Sequence, residues 1–132
     1  MILIDTSAWI EFLRREGALP VKQRVESAIV EGEAGYTCPI YFELMVGVRK
    51  PELELLQQGL SQCRRFVYEP SYWDTAALLY RRLRTQGLTI PKEDVYIAAA
   101  AMELRLPLLC RDKHFDVIRE KSGMTFIVEQ MP

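Results

Sequence analysis

The chain is short of several features that mark whole functional classes. It has three cysteines, Cys38, Cys63 and Cys110, and no two of them form a CxxC pair or a metal-finger spacing. A zinc-ribbon or dithiol redox protein is thereby excluded, and an odd count argues for a reducing compartment. Cys38 and Cys110 sit in apolar runs, where a buried, reduced thiol is expected. No basic surplus exists: the formal net charge is −1. A protein that grips polyanions by bulk charge is thus ruled out, and any such contact must be local. No long apolar run is present, and Met1-Ile2-Leu3-Ile4 meets a charge at Asp5 without a basic lead-in. That pattern predicts neither a secretory signal nor a membrane span, which leaves the cytoplasm as the default location. There is no repeat, no low-complexity segment and no linker, so residues 1–132 are expected to form one domain.

Alternating short apolar runs and helical stripes remain. Ile2-Leu3-Ile4 does not alternate, as expected for a strand covered on both faces. Asp5-Thr6-Ser7 can cap a helix carrying Trp9, Phe12 and Leu13. Val21, Val25, Ala28 and Ile29 mark a second helix, ended by Gly32 and Gly35. Tyr36-Thr37-Cys38 reads as a second strand, Glu43 to about Lys50 as a helix, and Pro51 as the start of the next helix. Phe66-Val67-Tyr68 reads as a third strand, and Tyr72, Ala76, Leu79 and Leu83 as a helical stripe ending near Gly87. Asp94 opens a helix, Leu108–Cys110 is a fourth strand, residues 113–121 a short helix, and Thr125–Val128 a fifth strand. Strand–helix alternation of this kind predicts a three-layer α/β/α fold with a mostly parallel sheet of about five strands.

Ligands of open α/β sheets bind at the carboxyl ends of the strands. Asp5 directly follows the first strand, and Asp112 comes two residues after the fourth. Glu43 follows the second strand, and Asp94 stands at a helix start on the face shared with Ile97, Ala98 and Ala101. Each acid has a plainer reading: Asp5 as a helix cap, Glu43 as a solvated helix residue, Asp94 as a dipole-favoured acid, Asp112 as a turn residue. Gathered at one edge, however, four carboxylates stay ionised only with a cation between them, or else some become protonated. Oxygen ligands select a hard ion, Mg²⁺ or Mn²⁺.

The blocks around these acids resemble the PIN-domain family, and within it the VapC-type toxin nucleases of VapBC toxin–antitoxin modules. The resembling segments are Ile-Leu-Ile-Asp-Thr-Ser-Ala-Trp, Cys-Pro-Ile-Tyr-Phe-Glu-Leu-Met-Val-Gly, Ile-Pro-Lys-Glu-Asp-Val-Tyr-Ile-Ala-Ala-Ala and Leu-Leu-Cys-Arg-Asp-Lys-His-Phe-Asp-Val-Ile, in that order over nearly the whole chain. The resemblance implies an RNA substrate, divalent-metal dependence, a homodimer and a cognate VapB-like antitoxin. It carries over Asp5, Glu43, Asp94 and Asp112 as the catalytic acids, with Asp5, Asp94 and Asp112 on the metal and Glu43 bound directly or through water. Thr6 or Ser7 would assist through hydrogen bonds. The sequence departs from the family pattern at Cys110, where Thr or Ser is commoner. Glu93 and Asp116 are additional acids able to share the site.

Phosphate contact needs positive charge. Arg111, Lys113 and His114 flank Asp112 and are the first candidates, followed by Arg14-Arg15 and the Arg81, Arg82 and Arg84 group. Trp9, Tyr72, Trp73 and Tyr80 sit on helical stripes, so packing is expected of them before base stacking; the helix over residues 72–84 is expected to meet a partner. Two rivals stand beside the nuclease reading: a non-catalytic module of the same fold, and a Mg²⁺-dependent phosphoryl-transfer receiver. The second lacks paired acids after the first strand and offers only Glu69 after the third.

Overall fold

A computed structural model describes all residues 1–132. The apolar trio Ile2–Ile4 forms β1, and all three of its residues are buried. It is the central strand. The others are β2 (Ala34–Tyr36), β3 (Arg64–Arg65), β4 (Leu108–Cys110) and β5 (Val128–Gln130), in the order β3-β2-β1-β4-β5. Every pairing is parallel. Leu108, Leu109 and Cys110 are also fully buried, so β1 and β4 are covered on both faces, as the absence of alternation predicted.

Seven α-helices connect the strands: α1 (Thr6–Leu13), α2 (Leu19–Val30), α3 (Cys38–Gly47), α4 (Leu53–Ser61), α5 (Pro70–Thr85), α6 (Lys92–Leu104) and α7 (His114–Lys121). A 3₁₀ turn, Lys50–Glu52, precedes α4 with Pro51 inside it. Trp9 and Phe115 are fully buried and anchor the core on α1 and α7. Gly59 allows α4 to approach Trp9, since a Cβ there would stand 3.0 Å from the indole ring. Gly32, with φ of 70°, ends α2 in the left-handed region that glycine adopts at little cost.

The chain moves outward from β1 to β2 and β3 on one side, then crosses back to β4 and β5 on the other. The order reverses between β1 and β4, so the crevice at their carboxyl ends is the switch point where such sheets bind ligands. Asp5 N–H donates to Leu109 O across this junction at 2.9 Å.

Four expectations need correction. The second strand ends at Tyr36, and α3 starts at Cys38, five residues before Glu43. Pro39 fits the first turn of that helix, where its missing N–H costs nothing. The third strand is Arg64–Arg65, because Phe66 N–H makes the last bond to β2 and Val67 and Tyr68 turn away. The fifth strand is Val128–Gln130, later than Thr125–Val128. Cys38 is exposed because it opens α3 at the sheet edge, whereas Cys110 is buried.

Candidate active site

Asp5 leaves β1 in an extended conformation and caps α1: its Oδ2 accepts the Ser7 N–H at 3.0 Å and the Ser7 hydroxyl at 2.6 Å. The cap expected of Asp5 is therefore present, and it leaves Oδ1 outside the Ser7 bonds. Ser7 Oγ also accepts the Arg111 N–H at 2.9 Å, which ties the loop after β4 to α1. Thr6 Oγ1 donates to Glu43 Oε1 at 2.9 Å and fixes that carboxylate on α3. Asp94, in the first turn of α6, is 8% exposed. Asp112 caps its own loop, accepting the His114 N–H at 2.9 Å.

His114 Nδ1 stands 2.8 Å from Asp94 Oδ2 and 3.2 Å from Asp112 Oδ1. Atoms of these three side chains lie within 4.8 Å of one another, a spacing that could hold a metal ion. Asp5 and Glu43 are outside that tight trio but close enough for their charges to matter. Burial pushes the Asp5 carboxyl up to about 7 against the pull of its Ser7 bonds, and the charges of Asp94 and Glu43 add to the rise. Burial likewise raises Asp94 to about 6, with Asp112 adding repulsion and His114 opposing it. Glu43 is raised by burial and by the charges of Glu93 and Asp112, with the Thr6 bond opposing. Asp5, Glu43 and Asp94 in this setting resist full ionisation by themselves.

A divalent cation fits these residues. The donors are carboxylate oxygens with one imidazole nitrogen, and both protein hydrogen bonds to the Asp5 side chain end on Oδ2. The neighbouring acids lie outside the trio. Asp116 faces Arg119 at 3.2 Å. Glu93 is exposed and reaches the site through its charge on Glu43. Glu69 is exposed and occupies the cap position of α5, so no acid after β3 joins the cluster as a phosphoacceptor would.

The basic residues divide. The Arg111 guanidinium pairs with Glu11, a buried acid on α1. Glu11 carries no motif of its own, although its place one turn after Ser7 puts it on the same helix face. Lys113 is exposed beside the site. Arg82 bonds to Ser122 O at 3.2 Å, and Arg84 lies over the Tyr80 ring, so these two serve packing, while Arg81 is exposed. Arg14, Arg15 and Arg49 border a cleft of about 780 Å³ that reaches Thr6 and Glu43, with Ile10, Leu13 and Leu44 also lining it. Trp9 is core, whereas Trp73 is 48% exposed against Tyr68 and Tyr96.

An acid cluster at the switch point of an all-parallel sheet defines an α/β protein able to hold a cation where the connections from two paired strands diverge. Comparison with known proteins gives the family. The PIN domain model matches residues 2–121. A VapC ribonuclease of Mycobacterium bovis is 34% identical over 130 residues, covering 94% of this chain and 96% of the relative. Ribonuclease VapC11 of Mycobacterium tuberculosis matches with the same identity and coverage. Among solved structures, VapBC2 from Rickettsia felis, bound to a DNA fragment from its promoter, superposes with a TM-score of 0.81 at 18% identity, covering 100% of both chains. FitAcB from Neisseria gonorrhoeae gives 0.76 at 22% identity, covering 96% of each. At such identity these two speak for the fold. The chain belongs to the PIN-domain family, in its VapC ribonuclease branch.

Proposed function

We propose that the protein is a metal-dependent endoribonuclease and the toxin of a two-component toxin–antitoxin pair. The observation that carries this reading is the set of acids Asp5, Glu43, Asp94 and Asp112 at one sheet edge, in a chain 34% identical to named VapC ribonucleases. Asp5, Asp94 and Asp112 would hold the ion, with Glu43 completing the site. When bound, Mg²⁺ or Mn²⁺ supplies Lewis acidity for attack by water on a phosphodiester. Thr6 orients Glu43, and Ser7 orients Asp5 while fixing the loop that carries Asp112.

The substrate strand would enter along the cleft between α1 and α3, where Arg14 and Arg15 stand beside Arg49, itself paired with Glu52. Lys113, exposed next to Asp112, would meet it as well. A VapB-like antitoxin is supported by the VapBC complexes among the structural neighbours. A homodimer is supported by apolar side chains left open on two helices: Phe42 and Val46 one turn apart on α3, and Trp73 and Leu78 on α5. No helix is long and apolar enough to cross a membrane.

The test is incubation of the purified chain with end-labelled RNA. Internal cuts in MgCl₂ that vanish with EDTA are expected. Intact RNA in MgCl₂, or cutting that EDTA leaves unchanged, would overturn the reading.

A further inference from the structure

Asp94 and Asp112 share a neighbour that is not an acid. His114 opens α7, followed by the fully buried Phe115, which anchors this end of the helix in the core. The His114 backbone is held as well, since its N–H donates to Asp112 Oδ1 at 2.9 Å. The ring is thus delivered to the acid pair from a fixed start, with Nδ1 at 2.8 Å and 3.2 Å from one oxygen of each. Adjacent ligands on an octahedral ion with bonds of about 2.1 Å stand about 3 Å apart. The spacing that lets an N–H bridge two carboxylates therefore also matches two edges of a coordination shell. The side chain remains 44% exposed, which leaves solvent for the other ring nitrogen.

We propose that His114 Nδ1 is a ligand of the ion held by Asp94 and Asp112, and that it biases the site toward Mn²⁺ over Mg²⁺. This rests on the divalent-cation reading of the site given above. Mg²⁺ favours oxygen ligands, whereas imidazole nitrogen suits first-row transition ions. A purely carboxylate site, which suits both ions, has a smaller bias. His114 thereby moves from the phosphate-contacting role expected of it to that of a metal-specificity residue.

The experiment is calorimetric titration of the full chain with MnCl₂ and with MgCl₂, on wild type, His114→Ala and Asp94→Asn. It is joined by pulsed electron paramagnetic resonance of the Mn²⁺-loaded wild type, which detects a directly bound nitrogen. Wild type is expected to bind Mn²⁺ more tightly than Mg²⁺ and to show the nitrogen coupling. His114→Ala is expected to weaken Mn²⁺ by about tenfold or more, to change Mg²⁺ much less and to lose the coupling. Equal weakening of both ions, unchanged Mn²⁺ affinity, or Mn²⁺-loaded wild type without nitrogen coupling would overturn the proposal while leaving the cation site in place. Asp94→Asn is expected to lose both ions. Wild type that binds neither ion would overturn the cation reading and this proposal together. Should His114→Ala fail to fold by circular dichroism, the resonance spectrum of wild type decides.

Discussion

Thr6 and Glu43 are 37 positions apart in the chain, yet the Thr6 hydroxyl donates to Glu43 Oε1 at 2.9 Å. The bond joins the start of α1 to the middle of α3 and aims a carboxylate that its own helix does not hold. Thr6→Val keeps the shape and removes the donor. Cleavage by this variant is expected to fall about ten- to hundredfold, the range for losing a group that orients a site carboxylate. Thr6→Ser should retain most of the rate. Initial rates at saturating metal check both.

The buried acids make stability depend on pH in a direction set by their shifts. Asp5 and Asp94 are raised to about 7 and about 6 from an ordinary value of 3.8. The folded metal-free chain therefore binds more protons than the unfolded chain between these values, and its stability falls as pH rises from about 4 to about 7. Melting curves of EDTA-treated protein should show a falling Tm across that window. The rise in Tm on adding a divalent cation should grow over the same window, because the ion binds the ionised form.

Asp5→Asn removes the charge but keeps an oxygen that can accept the Ser7 bonds. The metal-free variant is expected to melt no lower than wild type at pH 8, while losing its cation-dependent rise in Tm. A purely structural Asp5 cap would leave the response to the ion intact, since Asn caps a helix as well as Asp.

The cleft bordered by Arg14, Arg15 and Arg49 leads to a prediction about RNA binding. Replacing Arg14 and Arg15 by Ala should weaken binding of a short RNA and reduce the slope of log affinity against log salt by about one for each phosphate that these side chains neutralise. Arg81→Ala, at an exposed position of α5, should leave the slope unchanged. Fluorescence anisotropy at several salt concentrations, with EDTA to prevent cleavage, checks it.

The layout of the site was legible in the sequence where local chemistry and topology coincide. Asp5 directly follows an unbroken apolar run and precedes two hydroxyls, and Asp94 heads the buried face of the Ile97–Ala101 stripe. Strand limits were less legible. Phe66-Val67-Tyr68 has strand composition, but pairing with β2 ends at Arg65, and register depends on the neighbouring strand rather than on the run itself. Contacts between distant elements were not legible at all. Nothing local to His114 shows that its ring reaches Asp94, twenty positions earlier, and nothing local to Glu11 shows that it pairs with Arg111.

RNA cleavage by wild type and by Asp94→Asn, each shown to be folded by circular dichroism and each assayed with MgCl₂, with MnCl₂ and with EDTA, bears most directly on the claim that the gathered carboxylates hold a catalytic ion. Cutting by wild type only in the presence of metal, with Asp94→Asn slower by about a hundredfold or more, is the expected result. A folded Asp94→Asn variant that cuts RNA at the wild-type rate would contradict it.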